Sequence, residues 1–228
     1  MCFSASASFG AGAILSAIGV ASIKQVRSST QLPFATIPLI FAVQQLTEGF
    51  LWLALREPSD IIIQSMTAYI FIFFAQVVWP TWVPFSILNI EQNEKRRKGL
   101  KVLLGIGLAV SLYLAYCLSA YHVQANIAGK HISYMQNYPP APGIFVGILY
   151  ILATVSPQFF SSVKRMWILS WSILVSYIMT WVFYEDYIVS VWCFFASIIS
   201  ISVYFIMRGM NKNAHPVNNP DAINHAFR

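Results

Sequence analysis

Seven runs of close to twenty apolar residues, separated by short polar loops, constrain this chain more than any other feature. A helix needs about 20 predominantly apolar residues to cross a bilayer core, and the runs fall at roughly 5–23, 33–55, 61–88, 100–120, 142–160, 166–184 and 187–207. What lies between them is too short and too polar to build a water-soluble core. Composition agrees, with 57% of residues apolar and 10% charged, against about 45–50% and about 25% in a soluble domain. The expectation is an all-α fold, an integral membrane bundle of seven transmembrane helices over residues 1–210. Residues 211–228 carry Asn, Pro and His without apolar periodicity. They read as a disordered cytoplasmic tail with no lipidation or retention signal.

The loops give an orientation. With the N-terminus outside, twelve of the fourteen Lys and Arg residues fall in inner segments, and only Arg56 and Lys130 fall outside. Cytoplasmic loops collect basic residues in this way, so the bundle is expected to be N-out and C-in. The first run has no Lys or Arg before it and reads as a retained helix rather than a signal peptide. The net charge of +6 is therefore spent on orientation and anionic headgroups. No basic-aromatic nucleic-acid module is readable. The expected partners are the lipid bilayer and a small-molecule solute, with no nucleic acid; nothing fixes an oligomeric state or names a cofactor.

Within the second run, the stretch Gln44-Gln45-Leu46-Thr47-Glu48-Gly49-Phe50-Leu51-Trp52 puts a carboxylate and two amides into otherwise apolar sequence. Glu48 is the one acidic residue that falls inside a run. Gln44 and Gln45 precede it by one helical turn and Trp52 follows by one, so all four approach one face. At about 1.5 Å per residue, Glu48 sits roughly 6 Å outward of the run's midpoint. A carboxylate there is costly unless it is protonated, paired or wetted, and the one Lys or Arg that falls within a run, Lys101, lies at the inner end of the fourth, away from it. Two readings stand side by side. One is a neutral glutamic acid locking helices together through Gln44 and Gln45. The other is a substrate-binding or proton-coupling group in an outward-facing cavity, with Gln44, Gln45 and Trp52 around it.

The three cysteines form no CxxC pair and no disulfide framework. Cys2, Cys117, Cys193 and His122 all map to the outer half under this orientation. Thiol and imidazole suit copper or zinc, and Cys2 would add an amine if Met1 is removed. Cys2 and His122 are the candidate metal ligands of a competing reading, a membrane-embedded metal- or redox-dependent enzyme with its site at the outer face. Hydrolytic readings fare worse. A seven-helix hydrolase of the ceramidase type would need three zinc-binding histidines, whereas His215 and His225 lie in the tail and the last run has none. No Ser–His–carboxylate set can be assembled either.

Smaller features complete the expectation. Ser8, Gly12 and Ser16 form a small-residue stripe for close helix approach, and Ser172, Ser176 and Thr180 read the same way. Pro80 and Pro84 should kink the third run. The inner loop 91–98 (EQNEKRRK) reads as a topology anchor. The outer loop 121–142, with His122, His131, Tyr134, Tyr138 and Pro139-Pro140-Ala141-Pro142, is either a cap over an outer cavity or a plain surface loop.

Two resemblances bear on function. Seven same-sided runs parse as 3+1+3, and Ser156-Pro157-Gln158 before Lys164-Arg165 is similar to the inner turn of PQ-loop and SWEET-type carriers. The first run, ending Ser22-Ile23-Lys24-Gln25, lacks the partner proline. The opening Met1-Cys2-Phe3-Ser4-Ala5-Ser6-Ala7-Ser8-Phe9, with Leu32-Pro33-Phe34 and Gln44-Gln45, Glu48-Gly49 and Trp52, resembles an uncharacterised family of small bacterial integral membrane proteins beginning Met-Cys-Phe-Ser-Ala. That resemblance covers the first quarter of the chain. It implies a bacterial inner-membrane protein and marks Cys2, Gln45 and Glu48, without supplying an activity; with the N-out charge count, the N-terminus is then expected to be periplasmic. The leading expectation is binding or transport of a small solute through an outward-facing cavity containing Glu48, without enzymatic activity. The alternatives are the metal- or redox-dependent enzyme and a structural or sensory membrane partner.

Overall fold

The computed structural model describes residues 4–57, 59–139 and 143–213. Helix α1 (Ala5–Ile23) starts at Ser4, whose Oγ accepts from the Ala7 amide at 3.3 Å and so satisfies one of the first free N–H groups. Its buried face carries Ser8, Gly12, Leu15, Gly19 and Ser22 and packs on α3. A Cβ at Gly12 would come within 2.7 Å of the Leu46 side chain, and one at Gly19 within 2.9 Å of the Leu39 backbone nitrogen. The expected stripe is thus present but runs on through Gly19. Ser16 instead donates to its own helix at Gly12 O, 2.8 Å away.

The second segment, Ser29–Ala54, comprises a 3-10 turn (Ser29–Gln31), the short α2 (Leu32–Ala35) and α3 (Ile37–Ala54). The third, Ile61–Ile90, is α4 (Ile61–Ile72), a π-helical stretch (Phe73–Val78) and α5 (Trp79–Ile90). Pro80 and Pro84 have no N–H to give the preceding turn, and the helix widens immediately before them. The expected irregularity is therefore a π segment. Ser111 of α6 (Glu94–Ala120) supports it by donating to Val77 O at 2.7 Å, with Thr81 Oγ1 2.9 Å from the same hydroxyl. Gly107 lets α6 come up against the Pro80 carbonyl, where a Cβ would overlap it.

After α6 the chain departs from an all-helical reading. Residues of the 121–142 loop form an antiparallel hairpin, β1 (Val123–Ala128) paired with β2 (His131–Gln136) in the register Val123↔Gln136 to Ala128↔His131. Gly129, with φ +64°, takes the first place of the two-residue turn, where a left-handed conformation is needed. Then follow α7 (Gly143–Phe159), α8 (Met166–Phe183), α9 (Ile188–Ile199) and α10 (Ser202–Asn213). Helix α10 passes the expected tail boundary at 210 by three residues; 214–228 lie outside the described residues.

Among the described residues six helical segments are long and apolar enough to cross a membrane: α1, Ser29–Ala54, Ile61–Ile90, α6, α8 and Glu185–Asn211. Helix α7 is apolar but only 17 residues long. The two ends of the bundle differ. At one end the basic loops meet. Arg96 Nη1 donates to Ser161 O at 2.7 Å, Arg97 Nη1 to Glu91 O at 2.8 Å, and the Asn211 amide to Gln25 O. At the other end sits the hairpin, with Ile132 fully buried against Ala5, Leu51, Trp52 and Ala68.

Candidate functional site

Gln44, Gln45 and Glu48 lie on successive turns of α3 and are 0%, 0% and 2% exposed. Gln44 and Glu48 meet different neighbours. The Trp79 indole N–H of α5 donates to Gln44 Oε1 at 2.8 Å, and its ring stacks on Phe41. Ser190 Oγ of α9 donates to Glu48 Oε1 at 2.5 Å. One turn further along α9, Cys193 lies beside the Gln44 amide. Tyr134 of β2 approaches from the hairpin, stacked on Phe71 with centroids 5.0 Å apart. Burial, then the nearby Glu48 carboxylate, pushes the Tyr134 phenol well above its ordinary value.

Several polar atoms of this cluster find no partner among the described residues: Gln44 Nε2, both amide atoms of Gln45 and the Tyr134 hydroxyl. Buried polar groups are nearly always hydrogen-bonded, and each orphan costs about 1–3 kcal/mol. Four such atoms lie in the cluster around one carboxylate. Trp52, one turn nearer the hairpin, is 4% exposed and packs in the apolar cluster with Leu51 and Ile132. Its part is packing.

Beyond Cys193 lies a cavity of about 250 Å³ between α6, α7, α8, α9 and the π segment. Its walls are aromatic and uncharged: Tyr113, Tyr138, Tyr150, Tyr177 and Trp192, with Gln76 and Cys193. Tyr150 donates to Ala75 O in the π segment at 2.5 Å. Gln76 donates to Gln136 of β2 at 2.8 Å and accepts from Tyr138 at 3.3 Å, so the π segment is tied to the hairpin. The Tyr150 and Tyr177 rings lie 5.9 and 5.1 Å from Trp192, whose buried Nε1 has no partner among the described residues. A narrower apolar slot of about 60 Å³ shares Tyr150, Trp192 and Cys193 with this cavity and reaches Gln158 and Ser200.

The structure thus gathers Gln44, Gln45 and Glu48 but sets them behind Cys193, off the cavity wall. The physical reason is that Phe41 and Trp79 fill the space beside Gln44. His122 is exposed at the entry to β1, and Cys2 lies outside the described residues. Among the described residues no group of three or more His, Cys, Asp and Glu side chains converges. Ser190, Tyr150 and Trp192 were not singled out by sequence, and Tyr134 only as an aromatic of the outer loop; a serine and aromatics in apolar helices look like packing until the neighbouring helix is known. The hairpin settles what the 121–142 loop does over its described part. At the entry to β1 the Tyr69 hydroxyl of α4 donates to Tyr121 O and accepts from the Val123 amide, and His131 stacks on Tyr187 at 4.8 Å, so the hairpin closes this end of the bundle.

A family model matches residues 1–218 and carries the description "Family of unknown function (DUF6629)". No curated protein and no solved structure matches the chain. The match spans nearly the whole chain, so the protein belongs to that family. An uncharacterised family is what the opening residues implied.

Proposed function

Proceeding from membership of a family without an assigned activity, we propose that the chain is a seven-helix integral membrane protein of a bacterial inner membrane, N-out and C-in. In this reading it binds and moves a small solute through the cavity beside the hairpin, with Glu48 as the proton-holding group behind it. The observation that carries the reading is the adjacency at Cys193, one side chain that belongs both to the cavity wall and to the surroundings of Gln44. A cavity of this size is below the range of about 300–1,000 Å³ typical of drug-sized ligands, so the solute is small. The aromatic, uncharged wall favours an amphipathic or cationic molecule over an anion. The slot toward Gln158 and Ser200 gives a direction of passage, and the hairpin tie through Gln76 gives a gate.

One observation favours a structural role instead, the short Ser190–Glu48 hydrogen bond joining α3 to α9. Two measurements separate the readings. Infrared difference spectra of the purified protein between about pH 4 and 9 span the range of ordinary and displaced carboxylates. They are expected to show a band that responds to pH and disappears in Glu48→Gln. In vesicles loaded with a pH dye, small amines are expected to drive proton movement that Glu48→Gln reduces at least tenfold. A carboxyl band indifferent to pH, with transport unchanged by the substitution in folded protein, removes Glu48 from the mechanism and leaves the structural role.

A further inference from the structure

At the basic end of the bundle lies a groove of about 1080 Å³ between the start of α8 and residues 205–210 of α10. Its rim holds Lys164, Arg165 and Arg208, and its floor holds Trp167, Ile168 and Phe205. Those three apolar side chains are 60%, 46% and 58% exposed, although each sits in a helix apolar enough to cross a membrane. No acidic side chain lines the groove among the described residues. Glu91, whose neighbours Ile90 and Gln92 do line it, turns its carboxylate to the Ser162 hydroxyl and amide and to the Asn93 amide. The same contacts, with Arg96 on Ser161 O, pin the turn that carries Lys164 and Arg165.

We infer that this groove is a binding site for an anionic phospholipid of the adjoining leaflet. Three cations held at one rim match a phosphate headgroup in charge, and the exposed Trp167, Ile168 and Phe205 below them match acyl chain. Basic pockets between helices at the cytoplasmic face hold such headgroups, and tryptophan favours the level where headgroup meets chain. A free phosphate would use the rim and leave the apolar floor uncovered; the lipid uses both. The inference needs the helices to cross a membrane and does not need the solute site.

The test uses the full chain reconstituted in phosphatidylcholine vesicles containing a minor fraction of brominated phosphatidylglycerol or, in parallel, brominated phosphatidylcholine. The signal is the Trp167-dependent quenching, taken as the difference from Trp167→Phe. Quenching by the anionic lipid is expected to exceed that by the zwitterionic lipid about tenfold at equal mole fraction. The triple variant Lys164→Gln, Arg165→Gln, Arg208→Gln is expected to lose the preference. Its counterpart Lys95→Gln, Lys98→Gln, Lys101→Gln, with the same charge removed from α6, is expected to keep it. Equal quenching by the two lipids, or a preference that survives the triple variant, overturns the inference. A preference abolished by millimolar inorganic phosphate overturns the lipid assignment in favour of a phosphate site. Absence of quenching of any tryptophan by either lipid shows instead that the chain does not sit in the bilayer, which is failure of the membrane reading itself.

Discussion

Two buried glutamates show how one side chain does different work in different surroundings. Glu48 has one strong donor, Ser190, and near it the Gln44 Nε2 and both Gln45 amide atoms have no partner among the described residues. Glu91, 1% exposed, has the Ser162 hydroxyl and amide and the Asn93 amide, with the Arg96 guanidinium near. Burial alone would raise the Glu91 carboxyl, but those hydrogen bonds and the Arg96 charge outweigh it and hold it below the ordinary carboxylate range. A group whose folded-state value is depressed stabilises the fold above its unfolded value, near 4.3, and the contribution is lost as pH falls through the folded value. Glu91→Gln is therefore expected to lower stability at neutral pH by about 2 kcal/mol, the worth of hydrogen bonds to a charged group. The deficit against wild type should shrink in acid. Denaturation in detergent at about pH 7 and about pH 3 checks both signs. A deficit that stays constant across that range would mean that the charge on Glu91 carries none of it. Sequence placed Glu91 in a basic loop and read the loop as a topology anchor. Its partner Ser162 is 71 residues away, and no local pattern reveals such a pairing.

Among the elements, α1 and α3 form the tightest pair, and glycine makes it so. A Cβ at Gly19 would meet the Leu39 backbone nitrogen at 2.9 Å and Cα at 3.1 Å, whereas Gly10, on the same helix, has nothing within 4 Å. Backbone cannot swing aside as a side-chain tip does, so Gly19→Ala is expected to cost about 1–3 kcal/mol by overpacking. Gly10→Ala, gaining helix propensity with no clash, should be neutral or slightly stabilising. Thermal unfolding of the two variants side by side is the measurement, and equal midpoints would mean that α1 is free to move off α3. Helices such as these were legible because bilayer thickness sets their length and apolar content, and every long run in the sequence became helical, although the second, third and seventh are broken into shorter elements. The hairpin was not read. Its alternation, Val123, Ala125 and Ile127 against Gln124 and Asn126, is short, and Ala128-Gly129-Lys130-His131 is an unassuming turn. It forms because Ile132 and Tyr134 find apolar partners on helices α3 and α4. The cavity wall was illegible for a related reason: its aromatics come from separate helices, and only packing decides that Tyr150, Tyr177 and Trp192 face one another.

At the scale of the whole molecule, the basic loops and the hairpin occupy opposite ends, and that polarity makes the proposed orientation testable. Arg96 and the Glu91–Ser162 pair join loop 91–98 to 161–165, Asn211 joins the end of α10 to loop 24–31, and Gln31, Gln92, Lys164 and Arg208 of all four segments line one groove. They must therefore lie on one side together, whichever side that is. Lys130 lies in the hairpin turn at the other end. Positive charge is retained on the cytoplasmic side during insertion, so the side that holds these basic loops is expected to be inner. With Cys2, Cys117 and Cys193 replaced by serine, a single cysteine at Lys130 is expected to react with a membrane-impermeant maleimide in intact cells. One at Lys164 is expected to react only after the membrane is opened. Labelling of both in intact cells would break the link between the bundle's internal polarity and the membrane. Labelling of Lys164→Cys alone would invert it, putting the hairpin and its cavity inside and turning the solute path to face the cytoplasm. The connected basic end makes intermediate outcomes hard to reach, because no single loop can cross without carrying the others with it.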